Sequence, residues 1–246
     1  MRYITAAIGN FDGIHMGHDQ IIRKCIHIGN QSEQDKKIVT FEYEFDKFTN
    51  IAKKYKKIYG KHGKISTFKN YDIDDIIFYA LDSQTAIMSP ESFISEILID
   101  KLCIKNIVVG FNFRFGHKAK GDIQLLQDLS NKYNYSVEVI SAVKQDGKVI
   151  SSSMIRELIA AGCIVEANKL LTEDYRIDFR DHHYEVISNK ELLIFDTDFI
   201  YPLEGSYLVI ENQNKLKIKL ENENGILRLK SNDSLTPDII QFIKKI

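Results

Sequence analysis

The chain has 246 residues, 44% hydrophobic and 27% charged, with a formal net charge of -1 at pH 7 and only three prolines. That balance suits a soluble globular chain with a sizeable core, removes any global electrostatic case for a nucleic-acid or membrane partner, and argues against long extended linkers. Cys25, Cys103 and Cys163 are scattered with no CxxC pair, no run reaches membrane-spanning length, and the amino terminus shows no leader-type apolar region, so free thiols and a cytoplasmic location are expected.

The apolar run from Tyr3 to Ile8 predicts a buried first strand. It runs into Gly9-Asn10-Phe11-Asp12-Gly13-Ile14-His15-Met16-Gly17-His18, after which Ile21, Ile22, Cys25 and Ile28 recur at helical spacing. Three glycines and two histidines are thus compressed into a strand-to-helix turn. Glycine lets backbone bend and approach a ligand closely, and the following helix start offers unpaired N–H donors, so the turn is a candidate phosphate seat. His15 and His18 can add donors or positive charge there. Read singly, each is an ordinary surface histidine.

Ile38 to Phe41 reads as a second strand, and the lysine-rich stretch 47–64 as a solvated loop, with a basic flap over an anionic substrate as the other reading. Ile76 to Tyr79 is a further strand. Ser89-Pro90-Glu91 opens a helix whose core stripe is Phe93, Ile94, Ile97 and Leu98. Ile107 to Val109 is the next strand, discharging into the aromatic loop Gly110-Phe111-Asn112-Phe113-Arg114-Phe115-Gly116-His117. Asp122 caps a helix carrying Ile123, Leu125, Leu126 and Leu129, a strand follows at 137–140, and 144–148 forms a tight polar turn. Ser151-Ser152-Ser153 precedes a helix from Met154 to Ala161 that Gly162 ends, and a short helix covers Val165 to Leu171.

Alternation of strand and helix predicts an α/β fold, a Rossmann-like parallel sheet whose ligands sit at the carboxyl ends of the strands. The loops 9–18, 110–117 and 151–156 all follow predicted strand ends and are expected to converge on one cleft. Near Tyr175 the pattern changes to short alternating runs between Asn, Asp, Glu and Gly turns, which predicts a small antiparallel β domain closed by a helix from Pro237 to Ile246. The expected domains are 1–175 and 176–246.

A phosphate-transferring site needs hydrogen-bonding or positive groups on the phosphates and an aligned attacking oxygen. His15 and His18 supply one side, Ser152, Ser153 and the helix start another, and Arg156 a forked cation. Helix capping accounts equally well for the serines, and core packing for Phe111, Phe113 and Phe115, although three alternating aromatics also suit a planar ring ligand. No Walker A, GxGxxG, HExxH or GxSxG pattern is present.

On these residues the chain resembles the prokaryotic bifunctional riboflavin kinase/FAD synthetase family, within the HxGH nucleotidyltransferases. Residues 9–18 are similar to its GxFDGxHxGH signature, 109–116 with Gly121-Asp122 to VGxDFRFG…GD, Ile150 to Arg156 to ISSTxIR, and 89–93 to SPEEF. The resemblance implies adenylyl transfer from ATP to FMN, giving FAD and pyrophosphate with Mg2+ assistance. It implies catalytic roles for His15, His18, Ser152, Ser153 and Arg156, and ligand contacts from Gly9, Asn10, Phe11, Gly17, Asn112 and Phe113, with no protein metal site. The partners implied are ATP and FMN, with no nucleic acid and no membrane.

The chain departs from the pattern at several places. Asn112 stands for an acidic residue, Ser153 for threonine, Ala119 for an arginine, and Thr40-Phe41-Glu42-Tyr43-Glu44-Phe45 for TFEPHP. Beyond Tyr175 the kinase's glycine-rich and PTAN segments are missing, so residues 176–246 resemble a degenerate kinase module. Two other readings fit the same motifs: an adenylyltransferase for another phosphorylated acceptor, such as pantetheine phosphate or nicotinamide mononucleotide, and a non-catalytic flavin- or nucleotide-binding regulator.

Overall fold

A computed structural model describes residues 3–43 and 56–246, so the first half of the lysine-rich stretch, 47–55, lies outside the described residues. The chain forms two compact units. The first draws on Met1–Phe11, Gly17–Ala52 and Phe68–Val149, the second on Asp12–Met16, Lys53–Thr67 and Ile150–Ile246.

In the first unit, strand β1 (Ile4–Ile8) is buried at every position, as befits the centre of a sheet covered on both faces. Helix α1 (Met16–Gln31) follows, burying Ile21, Ile22 and Cys25. Strand β2 (Asp35–Tyr43) comes next; helix α2 (Lys61–Phe68), which follows it in the chain, belongs to the second unit up to Thr67, and the first unit resumes with strand β3 (Asp75–Leu81) and helix α3 (Ser83–Ile87). Helix α4 (Pro90–Ser92) starts at the N-cap Ser89 with proline in its first turn, then continues as the π-wound segment Phe93–Lys101. The expected stripe Phe93, Ile94, Ile97 and Leu98 is its buried face. Strand β4 (Ile104–Gly110), helices α5 (Ile123–Asp128) and α6 (Ser130–Tyr133) and strand β5 (Ser136–Ile140) complete the layer. Asp122 caps α5 through the Leu125 amide. The turn expected at 144–148 is a hairpin, β6 (Lys144–Gln145) with β7 (Lys148–Val149), turning through Asp146 and Gly147 at positive φ.

Among the described residues five strands form an all-parallel sheet in the order β3-β2-β1-β4-β5. The order reverses between β1 and β4. A crevice opens at the carboxyl ends of strands where such a sheet reverses, and that is where doubly wound sheets bind ligands. The turn 9–18 leaves β1 and the loop 110–117 leaves β4, the two strands flanking that point.

In the second unit, helix α7 (Ser152–Ala160) begins at the N-cap Ser151 and gives way to Gly162 at φ +74. Helix α8 (Ile164–Leu170) follows, and then strands β8 (Arg176–Asp178), β9 (Tyr184–Ser188), β10 (Glu191–Ile194), β11 (Gly205–Glu211), β12 (Asn214–Glu223), β13 (Ile226–Ser231) and β14 (Ile239–Lys245). They form an antiparallel sheet in the order β8-β14-β11-β12-β13-β10-β9. Burial alternates along it: Leu192 and Ile194, Tyr207 and Val209, Ile218 and Leu220, Leu227 and Leu229, Ile240 and Phe242 all face the core.

Two expectations are corrected. The segment Pro237 to Ile246 is not a closing helix: Ile239–Lys245 pairs with both β8 and β11 inside the sheet, because its apolar residues satisfy a period of two once neighbours are available. The end of the lysine-rich stretch is not loop but α2, where Lys64 is only 8% exposed. The compact units part between Val149 and Ile150, whereas position 175 separates the two sheets.

Candidate functional site

The first unit builds the front of the turn. The Gly9 amide donates to the Val39 carbonyl at 3.1 Å, and the Thr40 hydroxyl donates to the Asn10 carbonyl at 3.0 Å, so β2 holds the exit from β1. Phe11 adopts φ +47, unusual for a bulky residue. Its ring is wholly buried, edge-on to the His18 imidazole at 5.2 Å and to Phe68 at 5.8 Å, and that burial offsets the strain. Phe11 is thus the wall against which His18 rests.

The second unit builds the rest, Asp12–Met16. Gly13 sits at φ +60, and a Cβ there would lie 2.5 Å from Ile58 Cδ1. The Asp12 carboxylate accepts from the amides of Ile58 and Tyr59, each at 3.0 Å, and from Arg156 Nη2 at 2.6 Å. Arg156 Nε donates to the Lys56 carbonyl at 2.6 Å. The Ser152 hydroxyl donates to the Asp12 carbonyl at 2.6 Å, and both the amide and the hydroxyl of Thr172 donate to the Ile14 carbonyl, at 3.0 and 2.9 Å. His15 forms an isolated antiparallel bridge with Leu171. Hydrogen bonds from Ile58, Tyr59, Arg156, Ser152 and Thr172 therefore fix Asp12 and Ile14 in the stretch just ahead of α1.

These contacts sort the expected residues. Ser152 and Arg156 lie with the turn that carries His15, but the guanidinium is engaged by Asp12 and the Lys56 carbonyl. Ser151 caps α7 by accepting from the Met154 amide at 3.3 Å, which leaves Ser153 exposed in the first turn of the helix. His15 is 6% exposed, and burial pushes its imidazole down to about 4, while the nearby Asp12 carboxylate pulls the other way. At neutral pH His15 is an uncharged donor and acceptor rather than a cation.

In the 110–117 loop, Phe113 and Phe115 stack at 5.5 Å and join the core with Phe93, whereas Asn112 and Phe111 are exposed, Phe111 by 45%. Phe111 is thus the ring of that loop available to a planar ligand. Arg114 pairs with Asp122 at 3.3 Å. Among the described residues no group of three or more His, Cys, Asp or Glu is arranged to hold a metal ion, and no helix is long and apolar enough to cross a membrane.

Sequence reasoning missed Asp12. The available signal was an acid between Phe11 and Gly13, two residues at positive φ. A carboxylate in so tight a turn has to meet donors from elsewhere in the chain.

Comparison with known proteins bears on the same residues. The family model described as FAD synthetase matches residues 2–154. A Buchnera aphidicola (subsp. Schizaphis graminum) protein named bifunctional riboflavin kinase/FMN adenylyltransferase is 35% identical over 187 residues, 76% of this chain and 60% of the relative. A Listeria monocytogenes protein named FAD synthetase is 27% identical over 244 residues, 96% of this chain and 94% of the relative. The chain thus spans about 60% of the length of the Buchnera relatives that it matches. A solved structure titled macrolide-efflux protein from Streptococcus pneumoniae superposes with a TM-score of 0.79 over 100% of this chain and 86% of its own, at 19% identity. That likeness carries the fold alone.

Proposed function

The chain belongs to the FAD synthetase family, and on that premise we propose that it transfers the adenylyl group of ATP to FMN, forming FAD and pyrophosphate. An oxygen of the FMN phosphate attacks the α-phosphorus, the bond from that phosphorus to the bridging oxygen breaks, and pyrophosphate leaves. A phosphate monoester carries between one and two charges at neutral pH and needs no general base. The protein's task is then to align the groups and to donate hydrogen bonds where charge develops.

The observation that supports this most is the attachment of the α7 start to the turn bearing His15, through Ser152 and Arg156 on Asp12. In the proposed assignment, neutral His15 and Ser153 donate to the phosphates, and His18 and the backbone of Gly9, Asn10, Phe11 and Gly17 are further nucleotide contacts. The exposed Phe111 and Asn112 face the flavin. Mg2+ enters on the triphosphate as part of the nucleotide substrate, since a hard cation of that kind is held mainly by phosphate and water oxygens. The cytoplasm is the proposed compartment, in keeping with three free cysteines.

We further propose that the chain lacks riboflavin kinase activity. The Listeria relative, named FAD synthetase alone and aligned over 94% of its length, supports that reading. The test is incubation of purified protein with Mg-ATP and, separately, FMN, riboflavin, pantetheine phosphate and nicotinamide mononucleotide. FAD from FMN alone is expected. An adenylylated product from another acceptor, or FMN from riboflavin, would overturn the assignment. Tight flavin binding without any FAD would leave the non-catalytic reading in its place.

A further inference from the structure

The second unit holds one more arrangement, in which the C-terminal sheet and its connections grip the segment 56–67 along its length. At the near end, the Lys57 amide donates to the Asp198 carbonyl at 2.7 Å, the Ile200 amide donates to the Lys57 carbonyl at 2.8 Å, and Lys57 Nζ pairs with Asp198 at 2.9 Å. In the middle, Tyr59 stacks on Tyr175 with ring centres 6.3 Å apart. At the far end, the buried Arg176 donates to the Gly63 carbonyl at 3.2 Å and to the Thr67 hydroxyl at 2.7 Å, and it pairs with Glu173.

Asp181 makes the tightest of these attachments. Its carboxylate, 6% exposed, accepts from the amides of His62 at 2.9 Å and Gly63 at 2.8 Å, the first-turn donors of α2. Helix α2 has no acidic residue in its own first turn, so its N-terminal cap comes from a residue 119 positions away. Gly60 is required for the approach, because a Cβ there would collide with the Asp181 carboxylate. Between these anchors lie the Ile58 and Tyr59 amides, the two donors that hold Asp12 and with it the turn carrying His15.

We propose that the C-terminal sheet is a positioning module for adenylyl transfer and that Asp181 is its key positioning residue. Asp181 acts through another group: its carboxylate fixes α2, the 57–59 segment is held between α2 and the 198–200 segment, and the fixed amides present Asp12 and the His15 turn in one geometry. A displacement of about 1 Å in a reacting group can cost on the order of 10²-fold in rate, so loosening a remote anchor is felt in turnover. On this view residues 176–246 serve as the brace that holds the phosphate turn. The kinetic consequence rests on the adenylyl-transfer reading; the structural consequence does not.

The experiment pairs Asp181→Ala with Asp181→Asn in the full chain. Asparagine can accept only one of the two α2 amides through its single oxygen, and alanine neither. Amide hydrogen exchange is read at Ile58 and Tyr59, with Val209 in the core of β11 as internal reference. Steady-state FAD formation is measured alongside. Exchange at 58 and 59 should rise roughly tenfold in Asp181→Ala and by less in Asp181→Asn, with Val209 unchanged. Turnover should fall in the same order, about tenfold for alanine, with the KM for ATP and FMN within twofold.

A uniform acceleration that includes Val209 would reduce Asp181 to a general stability role and overturn the proposal, as would unchanged exchange or unchanged turnover. If Asp181→Ala does not fold, Asp181→Asn alone decides by the same criteria. If the native chain makes no FAD from FMN, the functional assignment has failed, and the exchange arm still decides whether Asp181 braces the turn.

Discussion

Burial of His15 makes acid sensitivity a direct test of the turn. In the unfolded chain its imidazole takes up a proton near the ordinary value of 6.5, whereas in the folded chain burial delays protonation to about 4. Between those values the unfolded state binds more protons, so stability contributed by neutral His15 is complete above pH 6.5 and is lost as pH falls through 4. The linkage relation gives a loss of about 2 kcal/mol at pH 5 and about 3 kcal/mol below pH 4. His182 is also buried and its pKa is also lowered, so the native chain alone does not isolate the effect. Replacing His15 with asparagine keeps a neutral polar side chain and removes the titration. Urea unfolding of both proteins from pH 7.5 to 4 should therefore give curves that converge by about 2 kcal/mol on reaching pH 5. Parallel curves would refute the reasoning and show His15 to be solvated in the folded state.

Three further outcomes follow from the same contacts. Arg156→Ala leaves the buried Asp12 carboxylate with backbone partners only, a change expected to cost about 3 kcal/mol in chemical denaturation. In a double-mutant cycle with Asp12→Asn the losses should fall short of additivity by at least about 1 kcal/mol, and simple addition would separate the two residues. Gly13→Ala, forced to keep φ +60 with its Cβ against Ile58, should lower stability by about 1–2 kcal/mol in the same assay. His15→Ala should reduce FAD formation by roughly 10²–10³ at saturating substrates, more than its effect on folding explains, and equal losses in both would mark a structural histidine.

Much of the α/β part of the chain was legible because its signals are local. The 89–93 helix start, the stripe Phe93, Ile94, Ile97 and Leu98, the Asp122 cap and the Gly162 stop all depend on residues within a turn or two of one another. What escaped depends on distant partners. Ile239–Lys245 is a seven-residue stretch whose four apolar residues are compatible with either period, and only pairing with β8 and β11 selects the strand. Helix α2 carries a glycine near its start and no acid of its own there, so its local signals are poor; Asp181 supplies the missing cap. In the candidate site, residue type singled out the histidines, serines and arginine as candidates, but it could not give their electrical states. Nothing in the spacing tells that His15 is neutral or that Arg156 is held by Asp12.

Those two facts bear on the proposed phosphate contacts. A sequence reading counts Arg156 as positive charge and leaves His15 as either a donor or a positive charge. In the second unit the imidazole is buried and uncharged, and the guanidinium is neutralised by a carboxylate with 6% side-chain exposure. In the proposed assignment the anion therefore meets neutral donors: an imidazole N–H, the exposed Ser153 hydroxyl, and the start of α7, where the helix dipole is positive. Such donors align by geometry, and they weaken steeply when misplaced, whereas a mobile cation tolerates displacement. A site built this way depends on its scaffold more than one built on charge. That dependence gives a physical reason for the turn to be tied to α7 through Ser152 and Arg156, to the 171–172 segment through Thr172, and, by way of Asp12 and the 57–59 segment, to the C-terminal sheet.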